Sequence, residues 1–158
     1  MLRNYLTFDN LGLDFENLAS DVRSGLPSAV FGVTFAEKCH LASMLGTPII
    51  YIVKDMLYGA RVAEQIRCIS GKEVVLLPPK DDVLLFKTAF NKDRLYQRLS
   101  ALYKIKNGAQ IVVTTLESLI QLFPKAIPYI NIRKGEEYDL TDLSQSLVLM
   151  GYKRQEFA

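Results

Sequence analysis

Apolar residues in this chain fall into two alternating spacings. Short continuous runs recur at Ala29-Val30-Phe31, Ile49-Ile50-Tyr51-Ile52-Val53, Val74-Val75-Leu76-Leu77 and Ile111-Val112-Val113. Between them apolar residues return every three or four positions. Runs rich in branched residues predict buried strands, and the three-to-four spacing predicts amphipathic helices. A first helix is predicted over 13–24, with Phe15, Leu18 and Val22 on one side and Gly25 and Pro27 ending it. A strand follows over 28–33. Then comes a helix from Ala36 to Leu45 that buries Leu41, Met44 and Leu45 and stops at Gly46. The run from Thr47 to Val53 reads as a central parallel strand covered on both faces. Asp55 stands near the start of a helix with Val62, Ile66 and Ile69 on its seam and Gly71 at its end. A strand from Glu73 to Leu77 closes at Pro78-Pro79, and residues 80–90 read as irregular. Asn91 caps a long helix with Leu95, Leu99 and Leu102 on its apolar face and Arg94, Arg98 and Lys104 elsewhere. Asn107-Gly108 ends it. Gln110 to Thr115 is the last strand, and Leu116 to Leu122 forms a short helix before Pro124.

Strands alternating with helices argue for an α/β fold: a parallel sheet with helices on both faces. Ligands of such sheets favour the carboxyl ends of the strands, where the Gly32 loop and Thr114-Thr115 fall. The texture changes after Pro124. Ile127 to Lys134 alternates like a half-exposed strand, and Gly135-Glu136-Glu137 turns. Asp139 or Thr141 then caps a helix that turns Leu143, Leu147 and Met150 inward and ends at Gly151. This predicts a domain over 1–123 and a small partial α+β unit over 124–158, too poor in apolar residues for its own core.

The stretch from Ala29 to His40 has the strand, glycine turn and helix of a phosphate-binding loop. There, backbone N–H groups and a helix N-terminus cradle phosphates, a lysine reaches the outer phosphates, and a Ser or Thr hydroxyl holds magnesium. Laid on G-x-x-x-x-G-K-[ST], Gly32 and Lys38 fit, and Thr34 lies within the loop. Glu37 replaces the second glycine and Cys39 the hydroxyl. Glutamate brings a Cβ and a negative charge against a polyanion. A thiol is a poor magnesium ligand, because magnesium takes hard oxygen donors. Phe35 adds bulk. Two readings fit: a vestigial phosphate loop of Gly32, Thr34, Glu37, Lys38 and Cys39 that no longer binds nucleotide, or an ordinary βα turn.

Composition narrows the rest. The chain has 158 residues, 49% of them hydrophobic, with a formal net charge of +2. That suits a globular core and does not announce a nucleic-acid or membrane partner. No apolar run is long enough to span a bilayer, and Met1 to Asn10 does not read as a signal peptide. Two cysteines and one histidine disfavour a zinc site or a histidine triad, and agree with a reducing cytoplasm. Cys39 could be an activated thiol at a helix N-terminus, but a small buried filler is the commoner role, and His40 reads as structural. The adjacent Asp81 and Asp82 cannot face each other as an acid/base pair. Arg133-Lys134 and Lys153-Arg154 form a candidate basic surface for phosphates or an acidic partner; for runs this short a solvated face is commoner.

The order of these pieces resembles the N-terminal region of the bacterial transcription-repair coupling factor family, itself similar to the first helicase domain of the excinuclease subunit UvrB. The degenerate loop at Gly32 to Cys39 carries the likeness. So do Ile49 to Val53 before a helix with Ala60 and Ala63, Val75-Leu76-Leu77-Pro78-Pro79, the helix Arg94 to Leu102, and Ile111 to Leu119. Gly135, Asp139-Leu140 and Gly151-Tyr152 resemble the start of the family's second domain. UvrB-like proteins keep a working phosphate loop and insert a long tyrosine-rich hairpin where this chain has only Pro78 to Phe90. The resemblance therefore implies a RecA-like (P-loop NTPase-like) fold without catalysis or a cofactor of its own. It implies a cytoplasmic role in nucleotide excision repair, through recruitment of UvrA and autoinhibition of a motor elsewhere in the parent chain. ATP, magnesium, RNA polymerase and double-stranded DNA would belong to that parent. The family's UvrA-contacting arginines lie near an R-G-x-x-x-D pattern that is not found here, so no UvrA-contact residue is carried over. The second unit is expected to be truncated, and UvrA binding by these residues alone to be weak. The competing implication is a UvrB-type ATPase or helicase domain.

Overall fold

The computed structural model describes residues 15–46, 48–80, 92–123, 125, 129–153 and 155. Thr47, Asp81, Asp82, Asn91, Pro124 and Arg154 lie outside the described residues. The chain divides into two compact units, Met1–Leu122 and Phe123–Ala158.

The first unit is built on three parallel strands: β1 (Ile49–Val53), β2 (Val74–Leu77) and β3 (Ile111–Thr115), in the spatial order β1-β3-β2. Ile49 to Val53 pair in register with Ile111 to Thr115, and Val74 to Leu77 with Ile111 to Thr114. Parallel neighbours need long crossovers. Helix α3 (Met56–Ser70) joins β1 to β2, and α4 (Lys92–Lys106) lies between β2 and β3 in the chain. Helices α1 (Phe15–Arg23) and α2 (Phe35–Met44) precede the sheet, and α5 (Leu116–Ile120) follows it directly.

The central strand is β3, buried at all five residues. The expectation that Thr47 to Val53 is central is corrected: among the described residues β1 stands at the edge of the sheet and β3 at its centre. Tyr51 packs on the core and Val53 is buried, but Ile50 and Ile52 are 60% and 54% exposed. On one face of the sheet Val53, Val74, Ile111 and Val113 meet Val62, Ala63 and Ile66 of α3. Gly59 lets this helix approach. A Cβ there would stand 3.0 Å from Val53 Cγ2 and 3.3 Å from Leu76 Cδ1. Asp55 caps α3 by accepting from the Tyr58 N–H at 2.7 Å, and Gly71, with φ of 64°, closes it. On the other face Val75, Leu77, Val112 and Thr114 are also buried, with α4 packed against β2.

Four further expectations are corrected. Residues 28–33 form no strand: Phe31 is 86% exposed, Gly32 turns to φ of 74°, and no ladder supports the run. Branched residues without a paired, half-buried surface have no reason to hold a strand. Helix α2 packs against α3 through Cys39, His40, Ala42 and Ser43, which are mostly small and permit a close approach. Met44 is exposed, and Leu41 and Leu45 are half-buried. On α4 the buried side chains are Arg98, Ala101 and Leu102, while Leu99 is exposed. The described part of 127–134 holds no strand: residues 129–133 are irregular, and Lys134-Gly135 turns, with Gly135 at φ of 93°.

In the second unit α6 (Leu140–Leu149) starts at Asp139, whose carboxylate accepts from the N–H groups of Thr141 at 2.7 Å and Asp142 at 3.1 Å. Leu143, Leu147 and Met150 are half-buried, and no residue of α6 is fully buried.

Candidate functional site

The start of α2 decides what the candidate phosphate loop can do. Thr34 has extended backbone and is the N-cap. Its hydroxyl accepts from the Glu37 N–H at 3.4 Å, and its own N–H donates to Glu37 Oε2 at 2.5 Å. This is a reciprocal capping box, which satisfies two donors that a helix start otherwise leaves open. The Thr34 N–H, and after it the Thr34 hydroxyl, hold the Glu37 carboxyl below the ordinary carboxylate range. A helix N-terminus attracts anions through its open N–H groups and its dipole. Here the chain supplies that anion itself. A phosphate arriving at this turn would meet a carboxylate already in place.

The other motif residues fall around this cap. Gly32 has the positive φ of a tight turn. Lys38 is exposed, and its backbone N–H donates to Thr34 O at 3.0 Å. Cys39 is fully buried, and desolvation pushes its thiol up from the ordinary value. It is a core filler, with the protonated character that burial imposes. His40 is buried beside it, and its carbonyl accepts from Ser43 Oγ at 2.6 Å. The Phe35 ring meets Tyr58 edge-on at 5.6 Å between centroids, and the Arg61 guanidinium lies 5.9 Å above Phe35. Tyr58 belongs to the first turn of α3, just past β1, so the Thr34 cap lies towards the carboxyl end of the sheet.

Across that same end, beyond β2 and β3, the chain's own polar groups form a second hydrogen-bonded set. The Arg98 guanidinium donates through Nη1 to Pro78 O and to Ser118 Oγ, the latter at 2.8 Å. Ser118 Oγ donates in turn to Pro78 O at 3.1 Å. Thr114 Oγ1 donates to Leu77 O at 2.9 Å, and Thr115 Oγ1 accepts from the Ser118 N–H at 3.3 Å to cap α5. Gln121 mimics a strand partner. Its Oε1 accepts from the Lys80 N–H at 2.6 Å, and its Nε2 donates to Lys80 O at 3.0 Å. Thr114-Thr115, read from sequence as part of a ligand-facing edge, is thus buried and committed to internal bonds. Sequence reading missed Arg98, Ser118 and Gln121. A signal was present for one of them: Arg98 stands on the helical stripe Leu95, Leu102 and Ile105. Burial of its guanidinium lowers its pKa.

The basic residues of the second unit lie apart along its chain. Arg133 is exposed and 3.9 Å from Glu136 Oε1, and Lys134 is exposed in the turn. The Tyr138 hydroxyl ties that turn, accepting from the Arg133 N–H at 3.0 Å and standing within reach of Asn131 O and Glu136 Oε2. With one proton, it donates to one of them. The carboxylate of Glu136 pushes its pKa up. Lys153 is exposed beside an apolar groove of about 770 Å³ along Leu140, Leu143, Leu147 and Tyr152.

No protein-family model, curated protein or solved structure matches this chain. Fold and site together define an α/β protein with a parallel sheet, whose candidate anion turn is capped from within. Among the described residues no helix is long and apolar enough to cross a membrane, and no group of His, Cys, Asp or Glu could hold a metal ion.

Proposed function

We propose that this chain is a non-catalytic, RecA-like module of the kind that stands at the front of transcription-repair coupling factors. In this reading it serves nucleotide excision repair in the cytoplasm, by docking UvrA and by holding a motor elsewhere in the parent chain at rest. The parent, and not this module, handles ATP, magnesium, RNA polymerase and double-stranded DNA. The observation that carries the reading is the Thr34–Glu37 box. It places a carboxylate where a working loop keeps a bare glycine for phosphate. The three-stranded parallel sheet is compatible with a RecA-like core. The order of motifs along the chain supplies the family, and the exposed Arg133, Lys134 and Lys153 remain candidates for an acidic partner.

The gene tests the family part. Read past the Ala158 codon, the frame should continue into an R-G-x-x-x-D strand and later an intact G-x-x-x-x-G-K-[ST]. An immediate stop codon would remove the coupling-factor reading. Nucleotide titration tests the non-catalytic part separately. Saturable binding of magnesium–ATP that disappears in Lys38→Ala would favour a UvrB-type ATPase.

A further inference from the structure

The stop signal at the end of α4 is also a reactive sequence. Asn107 is the one asparagine of the chain that a glycine follows. In such a pair the glycine backbone nitrogen can attack the asparagine side-chain carbonyl carbon, because no Cβ on the glycine hinders the approach. A bond forms between Gly108 N and Asn107 Cγ, and the Cγ–Nδ2 bond breaks. Nδ2 leaves as ammonia, carrying the proton that Gly108 N gives up. Water then opens the five-membered succinimide at either carbonyl and leaves aspartate or isoaspartate. Asn107 and Gly108 are both exposed, so water reaches them.

In the folded chain both reacting groups are engaged elsewhere. The α4 C-cap is a Schellman turn with Gly108 at φ of 93°. The Gly108 N–H donates to Ile105 O at 3.1 Å and the Ala109 N–H to Lys104 O at 3.0 Å. The nucleophile therefore keeps its proton, held on a carbonyl. The carboxamide is drawn back along the helix, because Asn107 Nδ2 donates to Tyr103 O at 2.7 Å. We propose that Asn107 is a deamidation site gated by the α4 C-cap, closed while these bonds hold and open when the last turn of α4 frays. Conversion runs one way. A carboxylate at 107 cannot donate to Tyr103 O, and it adds negative charge at the carbonyl end of a helix. Isoaspartate lengthens the main chain by a carbon just before β3, where Gln110 O accepts from the Ile49 N–H at 2.8 Å. Each opening that reacts thus leaves a lasting loosening of the cap. The inference goes beyond the functional reading above without depending on it.

Peptide mapping of the full chain, with mass and isoaspartate detection at one pH and temperature, tests the gate. In denaturing urea Asn107 should convert ahead of Asn17 and Asn131. In native buffer its conversion should be slower by about tenfold or more, since three ordinary hydrogen bonds must open together. Ala109→Pro deletes one of them and keeps the Asn107-Gly108 pair. Folded by circular dichroism, that variant should convert about two- to tenfold faster than wild type in buffer, the worth of one such bond, and equally fast in urea. If it does not fold, urea below the unfolding midpoint decides, because wild-type conversion should rise with urea there. The proposal is overturned by an unfolded chain that shows no preference for Asn107, or by native conversion as fast as unfolded. It is equally overturned by a folded Ala109→Pro no faster than wild type in buffer, or by a wild-type rate that stays flat in urea below the midpoint.

Discussion

Replacing Arg98 with methionine should destabilise the first unit by about 1–3 kcal/mol. Charge-assisted hydrogen bonds run from the guanidinium to Pro78 O and to Ser118 Oγ. At ~1.5–3 kcal/mol each, their gross worth is about 3–6 kcal/mol. Two terms reduce it. Pro78 O keeps the Ser118 hydroxyl as donor at 3.1 Å, so its carbonyl is not orphaned. Burial also costs the charged group, as the lowered pKa of Arg98 records, and methionine fills much of the same space without that cost. Urea unfolding followed by circular dichroism reads the difference as a lower midpoint at unchanged slope. Ser118→Ala should cost about 1–2 kcal/mol, and the double variant should show a coupling of about 1 kcal/mol, because the two side chains bond directly. An Arg98→Met protein within about 0.5 kcal/mol of wild type, or strict additivity with Ser118→Ala, would refute the network account.

Four further outcomes follow from the packing and the caps. Thr34→Ala should lower stability by about 0.5–1 kcal/mol, the low end for a lost cap because the bond is long at 3.4 Å, as urea unfolding will show. Glu37 has a folded pKa below the ordinary value of 4.5, so its contribution is complete above that pH and disappears as pH falls through the folded pKa. The stability difference between wild type and Glu37→Gln should therefore shrink on acidification, and a difference that grows would contradict the sign. Gly59→Leu should destabilise by about 1–3 kcal/mol through overpacking, since even a Cβ stands 3.0 Å from Val53; a thermal melt at the wild-type midpoint would count against that contact. A disulfide reagent should titrate the exposed Cys68 at once and the buried Cys39 only in denaturant, and two fast thiols in the native protein would place Cys39 at the surface.

Much of this fold was legible because apolar runs and stop signals agreed. Ile111 to Val113 and Val74 to Leu77 became strands, Asp55 and Gly71 bounded α3, and Asp139 capped α6. What the pattern lacked was tertiary context. Ile49 to Val53 looks like a buried central strand because an edge strand with uncovered isoleucines has the same spelling. Ala29 to Phe31 is equally apolar, but a strand needs a neighbour, and Gly32 turns the chain away. The apolar face of α4 was misread because Arg98 is a charged letter whose burial depends on acceptors from Pro78 and Ser118, 20 residues away on either side. In the candidate site, the mismatch at Glu37 was visible in sequence. That its carboxylate turns back onto the Thr34 N–H is a capping-box geometry, which T-x-x-E spells out at 34–37.

Titration calorimetry with magnesium–ATP, at millimolar nucleotide and low salt, tests the central claim most directly. The self-capped turn predicts no saturable heat in the wild type, and none gained or lost in Lys38→Ala. A saturable isotherm that vanishes in Lys38→Ala would contradict the account and make this turn a working nucleotide site.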